Sequence, residues 1–136
     1  MTQHIVELRP GDLLETVLEP VSRMDLIKYS GASGDFNPIH TIDEEAKKAG
    51  LPGIIAHGMW TMGNLAKLFT PYYEEGFIQD YQIRFAGMVF LNDIITLQAV
   101  VVEESDDEYI DFEVRAVNQH GKPVIKGKIR FKKLKE

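Results

Sequence analysis

The 136-residue sequence predicts an α+β fold in which an antiparallel sheet wraps one buried helix. Three observations lead there. Helix start and stop signals fill the first half of the chain, one long apolar segment follows them, and from Phe77 onward the hydrophobic period changes from helical to two. Typical domains run to roughly 100–150 residues, so a single domain over residues 1–136 is the expectation.

Asp12 to Glu19 reads as a first strand ended by Pro20. Ser22 followed by Asp25 has the spacing of an N-cap with an acidic third position, opening a helix through Leu26, Ile27 and Tyr29 that Gly31 and Gly34 stop. A second helix, Glu44 to Ala49, is expected between an Asp43 cap and Gly50. The third spans about His57 to Phe69, where Gly58, Met62, Leu65, Ala66 and Phe69 recur at steps of three and four and Pro71 closes the run. Between Gly58 and Phe69 the only charge is Lys67, which predicts a central helix buried around much of its circumference. Trp60, Met62 and Leu65 on it are candidates for a tunnel lining, although core packing is the commoner use of such residues.

Four strands then follow: Phe77 to Phe85, Asp93 to Glu104, and two runs of strict alternation. Ile110, Phe112, Val114 and Ala116 alternate with Asp111, Glu113 and Arg115. Ile125, Gly127, Ile129 and Phe131 alternate with Lys126, Lys128, Arg130 and Lys132, and His120 and Gly121 supply the turn between the two runs. Sequential antiparallel neighbours with one solvated face are the simplest arrangement.

Composition narrows the functional classes. With 44% apolar and 26% charged residues the chain is of ordinary globular type. A net charge of −6, from 15 basic and 21 acidic residues, argues against a nucleic-acid partner, since that affinity comes from neutralising phosphates. The basic stretch from Lys126 to Lys135 alternates with apolar residues and reads as the wet face of a strand. Cysteine is absent, so disulfides, thiolate nucleophiles and thiolate metal sites are excluded. Residues 1–9 lack the apolar core of a signal peptide and no run reaches the roughly 18 residues needed to span a bilayer, so a soluble cytoplasmic protein with no membrane partner is expected.

The polar residues that periodicity does not explain lie between Gly34 and Gly58. In the run Gly34, Asp35, Phe36, Asn37, Pro38, Ile39 and His40, the proline sets its own φ and pushes Asn37 out of helical geometry, which makes the segment a rigid loop. Asp35 and His40 are thereby held on one turn, and a carboxylate beside an imidazole can share and activate a water. The bland alternative stands next to it: Asp35 caps the helix begun by Ile42 to Glu45, or ties down its own loop. A second cluster, Gly53 to Met59, runs into the apolar helix. The Gly58 amide would lie in the first turn, where helical partners are missing and the helix dipole is positive, so it could stabilise a developing oxyanion by about 3 kcal/mol. Equally, Gly58 could only permit tight packing of helix on sheet.

Together the two clusters resemble the MaoC-like dehydratases, the group that includes (R)-specific enoyl-CoA hydratases and 3-hydroxyacyl-carrier-protein dehydratases of fatty acid and mycolic acid synthesis. The match lies in Tyr29, in Ser33 to His40 with Ala46 following, and in Ala56, His57, Gly58 and Met59. The resemblance implies a hot-dog fold working as a dimer or pseudo-dimer, in which Asp35 and His40 activate the water that attacks C3 of a trans-2-enoyl thioester while the Gly58 N–H polarises the carbonyl. It implies the (3R) product, an acyl-CoA or acyl-carrier-protein substrate, and no cofactor beyond the CoA or phosphopantetheine that the substrate brings. Asn37 is read as orienting Asp35. His57, at a helix start, should be neutral and bonded locally, and with Asn37 it is counted among the substrate-binding residues. Arg84 would meet a carrier phosphate or be a plain surface charge. The chain departs from the family where some hydratases carry a serine, offering Thr61, Gly63 and Ala66, and where a proline and a glycine are common it has Met88 and Asn92.

Two other readings remain: a hot-dog thioesterase, for which the Asp35–His40 pairing is less natural, and a noncatalytic partner subunit of a heterodimeric dehydratase, which would be expected to lack that pair. No metal is expected, because His4 and His120 are distant in sequence and His40 and His57 show no ligand spacing.

Overall fold

The computed structural model describes residues 4–105 and 108–134; Lys135, the end of the basic stretch, lies outside the described residues. Strand β1 is Leu13–Val17 and helix α1 Arg23–Ser33; after a 3₁₀ turn at Pro38–His40 come α2, Asp43–Lys48, and α3, Gly58–Ala66. Four strands follow: β2 (Gly76–Phe85), β3 (Thr96–Glu104), β4 (Tyr109–Val117) and β5 (Pro123–Lys133). They form one antiparallel sheet with β1 in the order β1-β3-β4-β5-β2.

The α+β class and the alternation hold. Leu97, Ala99 and Val101 of β3, Ile110, Phe112, Val114 and Ala116 of β4, and Ile125, Ile129 and Phe131 of β5 are all buried. They close over Leu65, Leu68 and Phe69, and the Phe69 ring meets Phe112 edge-on at 4.9 Å and stacks at 6.1 Å from Phe131. On the opposite face Lys126 and Lys128 are exposed, and Arg130 donates to both carboxylate oxygens of Asp111 at 2.8 and 2.9 Å. The charged stripe is therefore the wet face of the sheet.

Four local expectations are corrected. β2 does not neighbour β3 but crosses to the far edge beside β5, with Tyr81 opposite Ile129. The ten residues between β2 and β3 are too long for a hairpin, and they carry a bridge from Phe90 to Ile55 instead. β3 begins at Thr96, since Asp93 serves a turn: its Oδ2 accepts from the Phe90 amide and its Oδ1 from Gln119 Nε2, both at 2.9 Å. α2 starts at Asp43, with Ile42 as N-cap, because the Asp43 side chain pairs with Arg23 at 2.8 Å rather than capping.

The central helix is the fourth correction. Its α-helical part ends at Ala66, and residues Lys67–Tyr72 continue as a 3₁₀ helix that contains Pro71 instead of being closed by it. Thr61, Asn64 and Leu65 are buried whereas Met59 is 55% exposed, so one face and not the circumference is covered. Five strands curl round only one side of it. α1 passes through Gly31 and stops at Gly34, whose φ of 76° is the left-handed C-cap conformation that glycine adopts without strain. The Ser22–Asp25 capping box forms as read, with bonds of 2.9 and 3.1 Å.

Asn92, where relatives were expected to carry glycine, has φ 68°. After glycine, asparagine is the residue type that most readily visits this region, so the departure keeps the same turn. Among the described residues no helix is long and apolar enough to cross a membrane.

Candidate active site

The site is assembled where the C-terminus of α1, the loop after it and the N-terminus of α3 meet. Gly34 turns the chain out of α1, and the loop then ties itself down: the Asp35 carboxylate accepts from the Asn37 amide at 3.2 Å, and the Asn37 side chain accepts from the Ile39 amide at 3.2 Å. Asn37 thus caps the Pro38–His40 turn and shapes the loop that bears Asp35, while Asp35 does not cap α2. Loop tethering, one of the two bland readings of Asp35, is real, and it leaves the second carboxylate oxygen available.

His40 is buried at the end of that turn, and its Nδ1 lies 2.7 Å from the carbonyl oxygen of Ile55. A carbonyl only accepts, so Nδ1 carries the hydrogen and Nε2 is left with its lone pair. This is the tautomer a proton acceptor needs. Ile55 in turn donates its amide to the Ile39 carbonyl at 3.1 Å, locking the two segments together.

A carboxylate oxygen of Asp35 and a ring nitrogen each of His40 and His57 lie within 4.8 Å of one another. Two hydrogen bonds of about 2.8 Å meeting at a water span roughly this distance. The cluster also has the residue types of a metal site, which sequence spacing did not foreshadow. Its geometry does not fit one: the His40 and His57 rings are stacked at 3.8 Å with planes only 24° apart, so their lone pairs lie in separate, nearly parallel planes that do not converge on one ion. His57 Nε2 is further committed to the Asp35 carbonyl oxygen at 3.1 Å and to Ser30 Oγ at 3.2 Å.

His57 is almost wholly buried, and burial pushes its pKa below the ordinary value, more than the neighbouring Asp35 carbonyl raises it. It is neutral and bonded locally, as its place at a helix start implies, and is closed off from a substrate by Tyr29, edge-on at 4.8 Å, and by His40. Ser30 had no sequence signal of its own. It is a small polar residue one turn before the C-cap, and only the fold reveals that it is buried against His57.

Gly58 opens α3. The first intrahelical bond comes from the Trp60 amide to the His57 carbonyl at 3.0 Å, so the Gly58 and Met59 amides precede the helical ladder. The packing reading of the glycine finds support, because a Cβ there would stand 2.6 to 3.0 Å from three ring carbons of Phe85. An apolar groove of about 320 Å³ begins at this point, walled by Ile55, Gly58, Thr61, Phe85, Met88 and Val124. Ile55 thus touches both the groove and His40. A larger hollow of about 760 Å³ lies on the charged outer face around Asp111 and Arg130, and none of the candidate residues line it.

Arg84 is not brought to the cluster. It precedes Phe85 on β2, and strand alternation turns it to the outer face while Phe85 points at Gly58. Trp60 and Met62 are partly buried against the core, and Leu65 is wholly within it, so none of the three lines the groove.

A curled antiparallel sheet holding an apolar helix, with a carboxylate and two imidazoles clustered near the helix start, defines a protein of the hot-dog hydratase class. The chain belongs to the family described as MaoC like domain, whose profile matches residues 7–121. It is similar to the mitochondrial 3-hydroxyacyl-[acyl-carrier-protein] dehydratase of Arabidopsis thaliana, 26% identical over 87% of this chain and 72% of that one. The R-hydratase PhaJ1 of Pseudomonas aeruginosa superposes with a TM-score of 0.87 at 26% identity, covering 96% of this chain and 84% of that one. An (R)-hydratase from A. caviae shares the fold with a TM-score of 0.84 at 21% identity, over 92% and 96% of the two chains.

Proposed function

We propose that this protein is a hydro-lyase that adds water reversibly to trans-2-enoyl thioesters, giving (3R)-hydroxyacyl thioesters carried on CoA or acyl carrier protein. The observation that carries the reading is the His40 tautomer: Nδ1–H spent on Ile55 leaves Nε2 as a proton acceptor beside the Asp35 carboxylate. In the hydration direction a water held between the two gives a proton to His40 Nε2 as its oxygen attacks C3. Charge moves to the thioester oxygen, where the Gly58 amide at the positive end of α3 stabilises the enolate, and the proton that His40 accepted is then delivered to C2, which regenerates the neutral imidazole. Dehydration runs the same steps backwards. The R-hydratase and dehydratase relatives support the reaction class and the (3R) hand.

A second copy of the chain is the partner this reading implies. β2 is a ten-residue edge strand, and Phe85, Met59 and Met88 leave an exposed apolar rim around Gly58 that a neighbouring subunit would cover.

The test is spectroscopic. Purified protein should discharge the ultraviolet absorbance of crotonyl-CoA or a longer enoyl thioester, and folded Asp35→Asn and His40→Ala variants should not. Unchanged absorbance over a range of chain lengths on both carriers sinks the proposal, and release of free thiol instead would mark a thioesterase.

A further inference from the structure

His57 touches every part of the acid/base machinery without facing the substrate. Its Nε2 lies 3.1 Å from the Asp35 carbonyl oxygen, its ring stacks on His40 at 3.8 Å, and Ser30 Oγ sits 3.2 Å from the same nitrogen. Because a carbonyl cannot donate, Nε2 must carry the hydrogen, shared between Asp35 and Ser30. The neutral ring therefore has its lone pair on Nδ1, a buried nitrogen with no partner among the described residues. Native structures seldom leave such an atom unsatisfied, and an ordinary helix cap would not require it. His57 makes no side-chain cap bond to α3 at all. What an imidazole supplies here, and a serine or asparagine cap would not, is a donor at one edge combined with a flat face for His40.

We propose that His57 is a positioning residue for the hydration reaction: its Nε2–H holds the main chain of Asp35 and its ring face sets the plane of His40. The inference rests on the hydratase reading for its kinetic consequences only. Ser30 is the second acceptor that keeps the hydrogen on Nε2, and Tyr29, Asp35 and His40 are the titratable groups that face the ring. Burial favours the neutral ring, so His57 adds no positive charge beside His40 while His40 takes up and returns its proton.

Histidine-selective ¹⁵N NMR tests this on the wild-type protein. His57 should show the Nε2–H tautomer and stay neutral at and below its ordinary pKa of about 6.5, and His40 should show Nδ1–H. In His57→Phe, which keeps a ring and removes the donor, the Asp35 amide shift should move and His40 should lose its single tautomer. That variant should lose about 10- to 100-fold in kcat with KM within about threefold, as a small displacement of reacting groups does. His57→Gln, which restores a donor at a similar reach, should recover at least about fivefold of the loss, as expected of an interaction that acts through hydrogen bonding. The proposal is overturned if wild-type His57 is the Nδ1–H tautomer or titrates normally, or if the Phe and Gln variants are equally slow. It is equally overturned if the loss lies in KM, or if His57→Phe leaves the Asp35 and His40 resonances in place. Should the wild type hydrate no enoyl thioester, the hydratase reading fails and the NMR results still decide the positioning role.

Discussion

Replacing Gly58 by alanine separates the two roles that this residue combines. The added Cβ would stand 2.6, 2.9 and 3.0 Å from Cε1, Cζ and Cδ1 of Phe85, well inside van der Waals contact, so either the ring or the helix must move. Phe85 is 53% exposed on the single chain and lies at the rim that a second copy would cover, so its ring can turn as that rim adjusts. The cost is then closer to an off-rotamer side chain, about 1 kcal/mol, than to the overpacking of a closed core. Alanine regains part of that through its better helix propensity, so the net destabilisation should be at most about 1 kcal/mol, a fall in Tm of roughly 5 °C or less. Activity should respond far more. A methyl group beside the amide keeps the thioester oxygen from approaching it, and losing one oxyanion donor costs about 3 kcal/mol, or roughly 100-fold in kcat. Combining Gly58→Ala with Phe85→Ala removes the clash and should restore melting to that of Phe85→Ala alone while hydration stays about 100-fold down. Thermal melts and the enoyl absorbance assay read the two effects separately. Recovery of hydration in the double variant would refute the oxyanion argument and leave Gly58 as a packing residue.

Other perturbations check the remaining links. Asp35→Asn and His40→Ala should each lower kcat by about 10²- to 10⁴-fold, the range for removing a general acid or base, with melting shifted by only a few degrees; turnover within tenfold of wild type would remove the residue from the mechanism. Asn92→Gly should be neutral in thermal melts, whereas Asn92→Ala should cost about 1 kcal/mol because its φ of 68° is strained for alanine. Asp93→Ala deletes acceptors for the Phe90 amide and for Gln119 and should cost about 2 kcal/mol by urea unfolding, with activity falling only if the 86–95 segment shifts. The depressed pKa of His57 means that the unfolded chain binds more protons than the folded one as pH falls through its ordinary value of about 6.5. Stability should therefore decline between that pH and the lower folded pKa, and His57→Gln should flatten this part of the Tm profile.

What could be read from the sequence was what depends on near neighbours. The Ser22–Asp25 box is a three-residue relation, and it formed. Alternation in β4 and β5 depends on the backbone's own period, and it separated Phe112 and Ile129 from Glu113 and Lys128. The Asp35 to His40 loop was legible because Pro38 and Asn37 restrict a few consecutive torsions. The position of β2 was not, because pairing Tyr81 with Ile129 across almost fifty residues is decided by which edge can cover the helix, and no local signal encodes that. Asp93 looked like the head of a strand since its role as an acceptor for Gln119 is fixed by a residue 26 positions away. The apolar run from Gly58 to Phe69 implied burial around much of the helix, yet a sheet covering one side leaves Met59 exposed. Ser30 carried no signal because its partner is 27 residues distant.

The two histidines of the cluster show why residue type alone could not assign the chemistry. Each has one ring nitrogen facing a main-chain carbonyl, which selects one tautomer for the neutral ring, but the choice is opposite: Nδ1–H in His40 and Nε2–H in His57. In His40 the carbonyl comes from Ile55, on the wall of the groove, and the free nitrogen is the distal one, on a ring clustered with the Asp35 carboxylate. In His57 the carbonyl belongs to Asp35 itself, the distal nitrogen is used up, and the free one is sealed in protein. A base whose lone pair has no access to a substrate or to water cannot exchange a proton with either. The stacking at 3.8 Å couples the two rings negatively, since protonating one raises the cost of protonating the other. Exchanging the roles would require exchanging the carbonyls. For that reason a His57 that titrated in step with catalysis would contradict the geometry more directly than any loss of activity could.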